Sequence, residues 1–99
     1  MSAAYQTTFS IPPTHPALPG HFPGDPLVPG VVLLEQVALA LRAWRDERLV
    51  RVAEAKFMAP LLPDELAELS LSQVGDRARF DIRRGGQLLA RGVVEGARA

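Results

Sequence analysis

The sequence has no cysteine, which excludes disulfides, thiolate nucleophiles and thiolate-bound metals. It has no excess charge of either sign, since eleven basic residues stand against eleven acidic ones. A balanced chain has no global attraction to nucleic acid or to a membrane surface, although a local basic patch is compatible with it. A long hydrophobic run is also missing. The longest nearly apolar stretch, Val28 to Leu41, contains Glu35 and is too short to span a bilayer. Met1 to Thr8 offer neither a basic n-region nor an apolar h-region, so no signal peptide is expected and the cytoplasm is the expected location. No internal repeat is present, and no motif calls for a metal or another cofactor.

What is present is apolar side chain. Hydrophobic residues make up 47% of the 99, enough for a core and too many for a disordered chain. One domain, residues 1–99, is expected. A chain of this size buries only about two thirds of its unfolded surface, so a second subunit would add stability.

Proline sets the organisation. Residues 12, 13, 16, 19, 23, 26 and 29 are prolines, so neither helix nor sheet persists between Pro12 and Pro29. That stretch also holds Leu18, Phe22, Leu27 and two histidines, which suits a stiff loop packed against something. Before it, Tyr5 to Ile11 reads as a short strand. After it, Pro29-Gly30 opens a helix predicted to run to about Arg48, with proline in the first turn where a missing N–H costs nothing. Apolar residues from Val31 to Leu41 cover nearly every face, which predicts a helix surrounded by protein. Beyond Arg42 it turns amphipathic, with Arg42, Arg45, Asp46, Glu47 and Arg48 toward water and Trp44 inside.

Four strands are predicted next, over Val50–Met58, Ala67–Val74, Arg77–Arg83 and Gln87–Val94. Gly75-Asp76 and Gly85-Gly86 mark tight turns between them. The order is strand, stiff loop, buried helix and a four-stranded antiparallel meander. This is an α+β domain in which a five-stranded sheet wraps one central helix.

Glu35 is anomalous among residues that all argue for burial. No basic residue lies three or four places away, so it is protonated, hydrogen-bonded or facing a cavity, or it lies on a narrow solvent-facing stripe. A carboxyl group kept neutral in an apolar site serves as a general acid. His21, between Gly20 and Phe22 in the stiff loop, is mounted as a placed base would be, or is simply exposed. His15 has less around it and reads as structural or solvated. Gly30 matters through its backbone, because the amino end of a helix presents N–H groups and partial positive charge to a developing enolate oxygen.

The stretch His21-Phe-Pro-Gly-Asp-Pro-Leu-Val-Pro-Gly-Val-Val-Leu-Leu-Glu35 resembles the signature H-F-P-G-x-P-x-x-P-G-V of the 3-hydroxyacyl-(acyl-carrier-protein) dehydratases, whose catalytic glutamate follows the histidine by fourteen residues. Ala55 to Asp64 and Gly86 to Val94 are similar to later strands of that family. The resemblance implies a hotdog fold. It implies that His21 takes the proton from C2 of the acyl thioester, Glu35 protonates the departing 3-hydroxyl, and the Gly30 N–H holds the thioester oxygen. It further implies that a backbone carbonyl near Leu27 orients the His21 ring. Relatives that also isomerise the double bond carry aspartate in place of Glu35, which favours simple dehydration. Phe22, Leu34, Phe57 and Met58 are expected to line an apolar substrate channel.

The expected partners are an acyl carrier protein bearing the substrate and a second subunit, in a homodimer, an oligomer of dimers or a heterodimer. By resemblance each site takes its histidine from one subunit and its glutamate from the other. Arg42, Arg45, Arg48 and Arg51, or Arg77, Arg79, Arg83 and Arg84, are candidates for docking the carrier; a solvated helix face is the plainer reading of the first group. Two departures stand out: the chain is shorter than typical members, and Leu39 replaces the glutamine that usually follows the glutamate by four. The short form, with His15-Pro-Ala-Leu-Pro before the motif, resembles dehydratases of aryl-polyene clusters. Alternative readings are a hotdog thioesterase and a non-catalytic subunit of a heteromeric dehydratase.

Overall fold

The computed structural model describes residues 5–18 and 27–98. Its elements are β1 (Tyr5–Phe9), α1 (Gly30–Arg45), β2 (Glu47–Phe57), β3 (Ala67–Val74), β4 (Arg77–Arg84) and β5 (Gln87–Arg98). One antiparallel five-stranded sheet packs against one central helix, the α+β hotdog arrangement.

Helix α1 starts where proline dictates. Pro29 is extended (φ −63°, ψ 150°), and its carbonyl accepts the Val32 N–H at 3.0 Å. The helix ends at Arg45, three residues short of the expected Arg48. Asp46 adopts the left-handed conformation (φ 54°, ψ 41°), and its N–H donates to the Arg42 carbonyl at 2.9 Å. Aspartate tolerates that conformation better than most residues, and here it closes the last turn. Arg42 Nε also donates to Asp46 Oδ1 at 3.1 Å. Glu47 and Arg48 therefore begin β2 instead of extending the helix.

The helix is not enclosed all round. Val32, Leu33, Val37, Ala40 and Leu41 are buried against the sheet. Val31 and Leu39, on the far face, are 63% and 64% exposed. Near its end Arg45 is largely covered and lies 4.1 Å over the Trp44 ring, so it does not face water as its charge suggests.

The strand order is β1-β3-β4-β5-β2. Only β3, β4 and β5 form a meander; β2 pairs with β5 at the opposite edge instead of lying beside β3. Residues 58–66 make this crossing possible. The Met58 and Ala59 N–H groups donate to the Leu89 carbonyl at 2.7 and 3.2 Å, Leu61 is fully buried, and the Asp64 N–H reaches the Ile11 carbonyl at 2.8 Å. The connection is thus carried past the sheet to the β1 side, where Ala67 pairs with Phe9.

The sheet's inner face is led by Phe80, Leu69, Leu71, Ile82 and Val94, all buried with the helix's inward side. Curvature comes from register shifts in β2 between Leu49 and Arg51 and between Val52 and Glu54. It also needs Gly92, opposite Ala55 and Phe80. A Cβ there would collide with the Glu54 carbonyl and sit 2.6 Å from the Phe80 ring, so the bend and the largest core side chain both require glycine.

Candidate active site

The proline loop enters the site as a series of turns. The His15 N–H donates to the Pro12 carbonyl at 3.0 Å, and the Leu18 N–H donates to the His15 carbonyl at 3.0 Å. The Ala17 N–H donates to His15 Nδ1, also at 3.0 Å. Ile11 and Leu18, buried at either end, anchor the segment in the core. His15 is therefore mounted on fixed backbone, with one ring nitrogen already engaged. His21 and Phe22, the expected base and a substrate contact, lie outside the described residues.

Glu35 projects from the far face of α1, between Val31 and Leu39 at spacings of four. Its side chain is 61% exposed, and Oε1 stands 3.9 Å from His15 Nε2. The expectation that its surroundings enclose it is not met within one chain. The apolar neighbours that suggested burial divide between two faces, and only the inward set is covered. Among the described residues, no side chain other than His15 comes within ion-pairing distance of Glu35.

A second feature lies at the amino end of the helix. Val28, Gly30, Leu33, Phe57, Met58, Ala59, Pro60 and Leu61 line a cavity of about 370 Å³. Phe57 and Met58 sit on its wall half exposed. Leu34 packs against the core instead, and Glu35 is not on the wall. Five residues of α-helix turn through about 500°, so Glu35 points about 140° away from Gly30 around the axis. In one chain the carboxylate and the cavity face different ways.

Gly30 is tightly packed. A Cβ there would sit 3.0 Å from Phe57 Cζ, with other ring carbons at 3.2 and 3.3 Å. Glycine lets the ring close over the first turn of the helix, whose leading N–H groups have no partner within the helix itself.

The loop beneath the cavity is clamped by charge. Glu65 Oε1 accepts the Leu62 N–H at 2.8 Å and an Arg84 Nη1 hydrogen at 2.9 Å, while Arg84 Nη1 also donates to the Pro60 carbonyl at 2.8 Å. The Leu62 N–H, followed by the guanidinium, holds the Glu65 carboxyl below its ordinary pKa of 4.5.

The arginines do not form one helix face. Arg42 and Arg45 belong to α1, but Arg48 and Arg51 lie on β2. Arg51 and Arg77 converge on Glu95 at 3.4 and 3.2 Å. Among the described residues, no group of three histidine, aspartate or glutamate side chains is arranged to hold a metal ion, and no helix is long and apolar enough to cross a membrane.

Sequence reasoning set His15 aside, yet among the described residues it is the side chain within ion-pairing distance of Glu35. One signal was available. The stiffness that singles out His21 applies equally to His15, which has Pro12 and Pro13 before it and Pro16 after it.

Comparison with known proteins gives a consistent family. A family model described as ApeI-like, ApeI dehydratase, matches residues 2–93. The 3-hydroxyacyl-(acyl-carrier-protein) dehydratase FabZ of Chlamydia trachomatis is 36% identical over 93 residues, covering 78% of this chain and 61% of its own. The FabZ of Haemophilus influenzae is 35% identical over 72 residues, covering 63% and 49%. The chain thus spans about half to three fifths of the length of these curated relatives. Among solved structures, the dehydratase heterocomplex ApeI:P from Xenorhabdus doucetiae superposes with a TM-score of 0.82 at 23% identity, over 94% of this chain and 86% of that one. The fluoroacetyl-CoA-specific thioesterase FlK superposes with a TM-score of 0.62 at 17% identity, covering 98% and 87%. At those identities the structural matches establish the hotdog fold.

Proposed function

Because the chain belongs to the ApeI-like dehydratase family, we propose that it removes water from a 3-hydroxyacyl thioester carried on an acyl carrier protein, giving the trans-2-enoyl thioester. The observation that carries this reading is the disposition of the motif: the helix opens at Gly30, beside an apolar cavity, and presents Glu35 one and a half turns later on its other face.

In this mechanism His21 takes the proton from C2, and the electron pair moves into the thioester as an enolate. The Gly30 N–H stabilises the oxygen while that charge develops. The pair then returns to form the C2–C3 double bond as the C3–O bond breaks. Glu35 gives its proton to the leaving hydroxyl, which departs as water. Phe57 and Met58 would hold the acyl or polyenyl chain in the apolar cavity.

The site is composed across two subunits. Glu35 and the Gly30 cavity diverge by about 140° within a chain, so one carboxylate reaches a cavity most directly when the two belong to different chains. Val31 and Leu39 flank Glu35 with apolar surface that a partner would cover, and among the described residues the eleven-residue β2 pairs on one side alone, leaving an edge that a second sheet would extend. The partner is a second copy or a related subunit; the heterocomplex found for the Xenorhabdus relative motivates testing both.

Incubation with a 3-hydroxyacyl carrier protein, followed by mass spectrometry of the carrier, tests the reaction. Loss of one water with the thioester intact is expected. Release of free acid would make the protein a thioesterase, and an unchanged carrier would leave it a non-catalytic subunit. Native mass spectrometry of the protein alone should show an even-numbered oligomer if its partner is a second copy.

A further inference from the structure

We propose that His15 is a positioning residue for Glu35, holding the carboxylate in its working orientation from within the same chain. The proposal rests on the assignment of Glu35 as the proton donor and adds a second histidine to the site. By this account the partner's His21 reacts with the substrate, whereas His15 acts only through Glu35.

The argument begins with the ring. Nδ1 accepts the Ala17 N–H at 3.0 Å, so the proton of a neutral His15 imidazole must be on Nε2. Nε2 is the nitrogen that faces Glu35 Oε1 at 3.9 Å. That gap exceeds hydrogen-bond length by about an ångström, and the exposed glutamate is the side chain free to rotate and close it. The donor side is preorganised. The His15 N–H and C=O are both engaged in turns, Pro12, Pro13 and Pro16 limit the backbone, and buried Ile11 and Leu18 fix the ends.

Glu35 needs such a support. It stands on an open helix face with three rotatable side-chain bonds, and among the described residues no other ion-pairing partner selects one rotamer. A general acid contributes only when its proton lies along the line to the leaving oxygen, so orientation is part of its efficiency. Nothing here requires His15 to touch the substrate.

Two substitutions separate this role from a structural one. His15→Asn keeps a short acceptor for the Ala17 N–H but has no donor that reaches Glu35. His15→Gln carries an amide N–H about as far out as Nε2. For His15→Asn, kcat should fall roughly tenfold with KM unchanged, the scale of one hydrogen bond. His15→Gln should recover most of that loss. Wild-type kcat in His15→Asn would overturn the proposal, as would equal loss in both variants tracking a lowered Tm.

A measurement free of turnover separates this proposal from the dehydratase reading. The ¹⁵N resonances of the His15 ring should shift at Nε2, and not at Nδ1, when Glu35→Gln is introduced. An unchanged Nε2 resonance sinks the positioning role even if the protein is a dehydratase. A shift in a protein that dehydrates nothing would keep the contact and discard the reaction.

Discussion

The two faces of α1 have nearly the same composition and opposite fates. Inward, Val32, Leu33, Val37, Ala40 and Leu41 pack on Phe80, Leu69 and Ile82 and are buried to a few per cent or less. Outward, Val31 and Leu39 are equally apolar yet mostly exposed, with Glu35 between them. Hydrophobicity on the inner face is satisfied by this chain's own sheet. On the outer face it is left over, and leftover apolar surface around a carboxylate is what a shared site needs. The inner face should thus control folding, and the outer face chemistry and assembly.

The largest effects should come from the outer face and appear in activity alone. Glu35→Gln, an exposed and nearly isosteric change, should lower dehydration by about 10²–10⁴-fold with no loss in Tm. His21→Ala should lower activity to the same degree. When the two variants are unfolded together and refolded as a homodimer, about half the dimers are mixed, each with one intact and one doubly defective site, so roughly a quarter of wild-type activity should return. No recovery from a mixture shown to contain mixed dimers rules out the shared site.

The inner face should give the reverse pattern. Leu41→Ala removes a fully buried side chain and should cost about 2–5 kcal/mol in denaturant unfolding. Leu39→Ala, two residues away, should stay within about 0.5 kcal/mol in the isolated chain while weakening assembly in sedimentation. Equal destabilisation by the two, at concentrations where the protein is monomeric, would erase the distinction between the faces.

Much of this contrast is legible in the residues, and the gaps have physical causes. Pro29-Gly30 marks the helix start and Gly75 and Gly85 mark the hairpins, because backbone constraints are local. The helix end is hidden. Arg42, Arg45 and Arg48 continue a helical spacing, and nothing nearby announces that Asp46 turns left-handed. The place of β2 is hidden too, since it depends on buried Leu61 and on bonds from residues 58, 59 and 64 to distant carbonyls. Half-exposure of the helix is invisible to a pattern that counts apolar residues without knowing how many surfaces are available to cover them. His15 and Glu35, twenty positions apart, meet only through the loop's path.

Gly30 lies on the inward side of α1 and also on the cavity wall, so Gly30→Ala probes packing and chemistry at once. The added Cβ would meet the Phe57 ring at 3.0–3.3 Å, and that ring is 49% exposed and able to yield. Stability should change by no more than about 1 kcal/mol, because alanine's better helix propensity offsets the push on the ring. The displaced ring narrows the cavity, so KM for long-chain thioesters should rise more than for short ones. An equal rise for both would remove Phe57 from the substrate wall.

The smallest effect belongs to the clamp under the cavity, and it tests whether the scaffold can be loosened without touching the outer face. The Glu65 carboxyl is held below its ordinary pKa of 4.5, first by the Leu62 N–H and then by Arg84. A carboxyl with a depressed folded-state pKa binds its proton more readily in the unfolded chain. The stability it contributes is therefore present above about pH 4.5 and is lost as pH falls through the lower, folded-state value. Glu65→Gln keeps an acceptor for the Leu62 N–H but loses the charge that faces Arg84. At neutral pH its Tm should lie slightly below that of the wild type. The two should converge as the pH is lowered from about 4.5, because the wild type then gives up the same charge. Dehydration at neutral pH should be nearly unchanged, since neither Glu65 nor Arg84 lines the cavity or pairs with Glu35. A Tm difference that persists undiminished well below pH 4 would mean that the carboxylate's charge does not support the clamp and that hydrogen-bond shape alone holds residues 60–65.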